Sequence, residues 1–357
     1  MRDHLRRASF TIRALLLIAC CLPPPAVAAA NAAHPYRITM ILYRGCEEAC
    51  EHFQLYFRKH GIAAQFTLRD AAQDKDKARR FVAEAKAAKP DLVVAWGTSV
   101  ALETVGRHDG VDPARHITDI PVLFMIVSQP VSSGIVKNLG SPGRNVSGVL
   151  YLLAPETQIR AARAYLDFKR IGFIVNGAEA NSLITRDEIK ALSGRFGFTL
   201  IEREIPRDAA GKPDASALPH LVDELAAEKV DLIYQPPDTF LNVNRDLLTE
   251  SALRHRIPVF AAAEAPVVNS SALFGVAIRY QDVGRYTAHL AEKILVEGKR
   301  PKDIAIELPR HFSYLVNMRV AAQLERYPPL KLLDVAELTG LSASPPQKNS
   351  LDQPPAK

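Results

Sequence analysis

Short β-branched runs alternate with amphipathic segments along almost the whole chain, and this alternation limits the available folds more than any other feature. The first half reads as strand 37–43, helix 47–60, strand 62–68, helix 74–88, strand 91–96, a helix from Thr98 and strand 121–127. Gly61 stands where the first helix should stop. The pattern resumes with a helix from Pro155, strand 171–175, helix 181–196 and a strand from Phe198. Helix 218–229 follows, then strands 230–234 and 258–261 around a helix from Phe240. Strands separated by helices pair in parallel and are covered on both faces, so the chain is of the α/β class.

The two halves resemble each other. Lys89-Pro90-Asp91-Leu92-Val93 ends a helix and begins a strand, as does Lys229-Val230-Asp231-Leu232-Ile233. Further on, Ile120-Pro121-Val122-Leu123-Phe124 is echoed by Ile257-Pro258-Val259-Phe260. The offsets, 140 and 137 residues, are nearly equal, which points to two similar Rossmann-like lobes facing each other.

A chain of 357 residues has room for about two domains, and 48% hydrophobic with 24% charged residues fits a globular protein. The net charge of +6 belongs partly to the N-terminus, where Arg2, Arg6, Arg7 and Arg13 face only Asp3. The remainder carries no footprint for a phosphate backbone, so nucleic acid is excluded as a partner. Residues 1–30 run basic, apolar, then small, the order of a secretory signal peptide. Cleavage near Ala28 or Ala30 would release a soluble chain, whereas Leu17-Ile18-Ala19-Cys20 also fits a lipoprotein box that would leave a lipid on Cys20. Either route places the protein in the periplasm or otherwise outside the cytoplasmic membrane. Cys46 and Cys50 remain in the mature part, as two partly buried thiols or as a local disulfide at an irregular helix start. The residues from 337 to 357, rich in Ser, Pro, Gln and Lys beyond Ser342, read as a disordered tail.

Catalytic and phosphate-binding signatures are missing. The chain has no G-x-S-x-G elbow, no G-x-x-x-x-G-K-[ST] loop, no G-x-G-x-x-G after a strand and no H-E-x-x-H. Its ten histidines lack ligand spacing, so no metal, cofactor or enzymatic activity is expected. Polar residues instead gather at the C-terminal ends of strands, the edge at which open α/β sheets bind ligands. They are Trp96-Gly97-Thr98-Ser99 and Ser128-Gln129-Pro130 in one half. In the other they are Asn176-Gly177-Ala178-Glu179, Pro236-Pro237-Asp238-Thr239 and Ala263-Glu264-Ala265. Each alone is an ordinary helix cap; two such edges facing across a cleft make a pocket that closes on a small molecule.

A resemblance emerges from Pro121 through Val131, Gly134-Ile135-Val136 and Pro142-Gly143-Arg144-Asn145-Val146-Ser147-Gly148-Val149. Ile257-Pro258-Val259-Phe260 and the stretch from Asp282 to Pro301 add to it. These motifs resemble the ABC-transporter substrate-binding proteins that include tryptophan and tyrosine uptake components. The likeness covers about residues 35–335. It implies a type I periplasmic-binding-protein fold, two lobes joined by a three-strand hinge, and delivery of a small molecule, such as an amino acid, to an ABC permease with its cytoplasmic ATPase. A ligand-sensing extracellular module that signals to a membrane receptor or kinase is the alternative. In the family's [ST]-D-P-V motif this chain has Gln129 in place of the common Asp, and Thr98-Ser99 beside Trp96 replace small residues.

The expected lobes are residues 35–148 plus 281–309 and 149–280 plus 310–336, with crossovers near 146–148, 274–276 and 312–314. Thr98 and Ser99, at a helix N-terminus, are expected to hold a carboxylate. Glu264 or Asp238 would pair with a ligand ammonium, with Thr239 beside Asp238 on the same turn. Trp96, Tyr43 and Phe240 would cover an apolar body. Asn176, Gln129 and Ser128 would supply neutral hydrogen bonds.

Overall fold

A computed structural model describes residues 34–341. The signal segment with Cys20, and the tail from Ser342 onward, lie outside these residues. Strand β1 (Tyr36–Leu42) leads to α1 (Glu48–Lys59), β2 (Ala64–Asp70), α2 (Lys75–Ala88), β3 (Leu92–Trp96), α3 (Thr98–Val105), β4 (Val122–Val127) and β5 (Val146–Leu150). These five strands form one parallel sheet in the order β2-β1-β3-β4-β5. Strands β3 and β4 are buried at every residue, which explains their unbroken apolar sequence, whereas β2 at the edge alternates with polar side chains.

The second half runs α4 (Pro155–Tyr165), β6 (Arg170–Val175), α5 (Ala180–Phe196), β7 (Thr199–Glu204), α6 (Leu218–Ala227) and β8 (Leu232–Gln235). It continues with α7 (Thr239–Val243), α8 (Arg245–Arg254), β9 (Val259–Ala261), α9 (Ala265–Val268), β10 (Phe274–Ala277) and α10 (Tyr280–Leu295). The single helix expected from Phe240 is thus two, parted at Asn244. Last come β11 (Ser313–Asn317), α11 (Met318–Leu324), α12 (Leu330–Leu333) and β12 (Ala336–Thr339). The seven-stranded sheet has the order β12-β11-β10-β9-β8-β6-β7 and is parallel except between β10 and β11. That antiparallel pair departs from the all-parallel expectation. Strand β12 corrects the expected start of the tail, because residues 336–339 pair with β11 and Glu337 forms an ion pair with Arg279.

The internal echo has a structural basis. Lys89 and Lys229 both end helices at positive φ, 47° and 55°. Asp91 accepts from the Arg37 backbone N–H at 2.7 Å, and Asp231 accepts from those of Lys169 and Arg170 at 2.8 Å. Pro121 and Pro258 each accept, at 3.0 Å, from the neighbouring strand through Val93 N and Ile233 N. Prolines stand at these strand entrances because each position supplies a carbonyl and needs no N–H.

One hydrophobic core gathers residues between Ile38 and Tyr151 together with Ile278 to Ile306; the others gather residues between Ile159 and Ala277 with Tyr314 to Leu324. Helix α10 therefore packs with the first sheet although it follows β10 of the second. Of the residues expected near the crossovers, 146–148 lie in β5, 274–276 in β10 and 313–314 in β11, with Phe312 just before it. The chain passes between sheets just beyond β5 and β10 and just before β11, and Leu150 N donates to Glu307 O at 3.0 Å between two of these passes. Cys46 and Cys50 form a disulfide, with Cα atoms 5.2 Å apart. Cys46 precedes α1 and is not helical, which is the irregular helix start that such a local bridge needs.

Candidate ligand-binding cleft

The C-terminal ends of strands from both sheets converge on one cavity. Arg44 follows β1; Trp96 ends β3, and Gly97, Thr98 and Ser99 follow it; Ser128 follows β4 and Tyr151 follows β5. From the other lobe come Glu179, Asn181, Gln235, Asp238, Thr239 and Asn242, with Tyr280 from the start of α10. Gly97 has φ 92°, a conformation open to glycine, and lets β3 turn directly into α3. Near the end of β4 the register with β5 shifts between Phe124 and Val127, and Ile126 takes φ 55°. A β-branched residue in that conformation is a backbone outlier, and it stands on the cavity wall.

Arg44 is the central cation, with its side chain 5% exposed. Its guanidinium lies 4.7 Å from the Trp96 ring centroid and donates to Glu47 at 3.0 Å and to the Tyr280 hydroxyl at 3.3 Å. With its amide oxygen facing inward, Asn242 of the opposite lobe accepts from both terminal nitrogens at 2.8 and 2.9 Å. Lys75 Nζ also reaches across, to Ala178 O at 3.3 Å. The lobes are closed on one another.

Two carboxylates face this cation. Glu179 accepts from the Thr239 and Phe240 N–H groups at 3.1 and 3.3 Å and from Asn181 at 3.3 Å. Asp238 caps α7 through Leu241 N at 2.7 Å and accepts from Asn176 at 3.0 Å. Burial pushes both carboxyls above their ordinary range, and the charge of Glu179 pushes Asp238 further. Opposite them, Thr98 Oγ1 accepts from Ser128 N at 3.1 Å, and Ser128 Oγ lies 3.0 Å from the Tyr151 hydroxyl.

Of the residues singled out in the sequence, Trp96, Thr98, Ser99, Ser128, Asp238 and Thr239 line the cavity. The others do not. Tyr43 is packed in the first lobe's core, where burial raises its hydroxyl to about 12 against a hydrogen bond from Ser99. Gln129 turns away to Glu188, and Asn176 stands behind Asp238. Glu264 lies 2.6 Å from Arg279 and accepts from Tyr280 N, so its charge is already matched. Phe240 belongs to a hydrophobic core of the second lobe. Glu179, named at its strand end but given no role there, lines the cavity too, whereas Arg44, Gln235, Asn242, Tyr151 and Tyr280 were missed. The strand-end rule covers Arg44 and Glu179, whereas Asn242 and Tyr280 sit on helices with no local signal.

Two α/β lobes that close polar strand ends around an enclosed cavity define a type I periplasmic binding protein. The family described as ABC transporter substrate binding protein matches residues 45–337, and this chain belongs to it. It is 26% identical over 261 residues to the tyrosine-binding protein of Clostridioides difficile (strain R20291), covering 72% of this chain and 70% of that protein. An ABC domain from Streptococcus pneumoniae, solved in complex with L-Trp, superposes with a TM-score of 0.71 at 22% identity, covering 85% of this chain and 99% of that one. A conserved domain protein from Vibrio cholerae gives 0.74 at 22% identity, with the same coverages. The chain is a substrate-binding protein of ABC transport.

Proposed function

We propose that the protein works outside the cytoplasmic membrane, captures an amino acid between its lobes and passes it unchanged to an ABC permease. The carrying observation is the charge arrangement: buried Glu179 and Asp238 on one lobe face Thr98, Ser99 and Arg44 on the other. The carboxylates suit an ammonium group. The N-terminus of α3, its two hydroxyls and the guanidinium suit a carboxylate. The tyrosine-binding relative and the complex with L-Trp both concern amino acids, which supports the same class. The proposed lobes are residues 35–148 with 281–309 and 149–280 with 310–336, adjusted at the joints because Val149, Tyr151, Ile278 and Tyr280 pack in the first core and β12 extends the second sheet.

A thermal-shift and calorimetric screen of amino acids, sugars and nucleosides tests the assignment. Amino acids should raise the melting temperature and bind. Glu179→Gln or Asp238→Asn should then weaken binding by about 1.5–3 kcal/mol, the value of a hydrogen bond to a charged group. A response confined to sugars or nucleosides would remove the zwitterion assignment.

A further inference from the structure

We infer that the cleft selects a small hydrophilic amino acid and rejects the aromatic ones, with Trp96 setting the size limit. The inference rests on the amino-acid reading above and narrows it.

The cavity between the closed lobes is about 20 Å³. About 10–15 Å³ of such space holds one water molecule, and pockets that enclose drug-sized ligands measure about 300 Å³ or more. Small side-chain shifts accommodate a solute of a few heavy atoms. An indole or phenol ring requires Trp96 to leave or the lobes to stay apart.

The wall is not free to make that room. Trp96 is 1% exposed, and the Arg44 guanidinium covers one face of its ring. Arg44 can swing out only by giving up Glu47, Tyr280 and Asn242 together. Tyr151 and Tyr280 pack edge to face with centroids 6.0 Å apart, and Tyr151 is tied to Ser128.

Unpartnered groups point the same way. Trp96 Nε1 and Gln235 Oε1 are buried without hydrogen-bond partners, and both belong to residues that line the cavity. A compact solute with donors and acceptors satisfies such groups. A ring placed against them would leave both unpaired, which is costly.

Trp96 is the only tryptophan in the chain, so its intrinsic fluorescence reports directly on the cleft. Wild type and Trp96→Ala are titrated with glycine, L-alanine, L-serine, L-tryptophan, L-tyrosine and L-phenylalanine, by calorimetry throughout and by fluorescence where Trp96 is present. The same titration with glycerol and L-lactate covers small solutes that are not amino acids. Wild type should bind at least one small amino acid, shift its Trp96 emission, and show no binding of the aromatic ones up to about 1 mM. Trp96→Ala should gain about tenfold or more in affinity for an aromatic amino acid. Trp96→Phe, which keeps a ring in the wall, controls for loss of folding and should still exclude them. Binding of an aromatic amino acid by wild type below that limit overturns the inference, as does silence toward every small solute. Binding of glycerol or lactate alone removes the amino-acid reading and leaves the size limit standing.

Discussion

The Gln129 side-chain amide donates to the Glu188 carboxylate between the two lobes, and Ser132 Oγ donates to the same carboxylate at 3.3 Å. Gln129 follows β4 of the first sheet and holds φ 45°, while Glu188 lies on α5 beside the second. Burial raises the Glu188 carboxyl, with both hydrogen bonds opposing the shift.

An Asp in place of Gln129 would set two carboxylates against each other across the lobes. Gln129→Asp should weaken ligand binding about fivefold, or about 1 kcal/mol for a half-exposed contact. Facing carboxylates raise each other's pKa, so the deficit should shrink as the pH falls toward 5. Fluorescence titration with the amino acid that saturates wild type measures it. Equal affinities for wild type and variant across pH 5–8 would remove the contact from closure.

Ligand binding should release protons. Asp238 is held well above its ordinary range by burial and by Glu179, and an ammonium beside the pair favours both charged forms. Affinity should therefore rise from about pH 5 to pH 8, and the calorimetric enthalpy should vary with the buffer's ionisation enthalpy. Glu179→Gln should remove most of that variation. Without ligand the sign reverses. Carboxyls raised by folding bind more protons folded than unfolded, so their stabilisation is complete at acid pH and falls as the pH rises. For Glu264, pushed up to about 7 by burial against the pull of Arg279, that loss runs from 4.5 to about 7. Chemical denaturation across this range, wild type beside Glu264→Gln, reads it.

Two glycines in helices should respond oppositely to alanine. A Cβ on Gly284 would lie 2.1 Å from the Ala49 carbonyl oxygen, so α10 and α1 would have to separate. Gly284→Ala should cost about 1–3 kcal/mol and lower the melting temperature by several degrees. Gly194, in α5, is exposed, and a Cβ added there would meet nothing within 4 Å. Gly194→Ala should stabilise by about 0.5–1 kcal/mol, the helix-propensity gain. A melt of both variants beside wild type tests the pair. A neutral Gly284→Ala would mean that α10 and α1 can part at little cost.

The sequence by itself determined the class of fold, because hydrophobic period and helix punctuation are local properties. The buried runs of β3 and β4 and the Asp74 cap of α2, whose side chain accepts from Asp76 N and Lys77 N, are written in consecutive residues. The repeat of Asp91 in Asp231, and of Pro121 in Pro258, exposed two alike sheets for the same reason. Strand ends were legible too, which placed Trp96, Thr98, Ser99, Ser128, Asp238 and Thr239 at the cleft. Which polar group is already matched was not legible. Glu264 and Gln129 stand at strand ends like the others, yet Arg279, 15 residues after Glu264, and Glu188, 59 residues after Gln129, engage them. Only tertiary structure brings Asn242 to Arg44 and Tyr280 to Tyr151, because lobe closure depends on how two separately built sheets meet. The size of the cavity was decided there as well. It is the space left between packed side chains from both lobes, and no single stretch of chain encodes it.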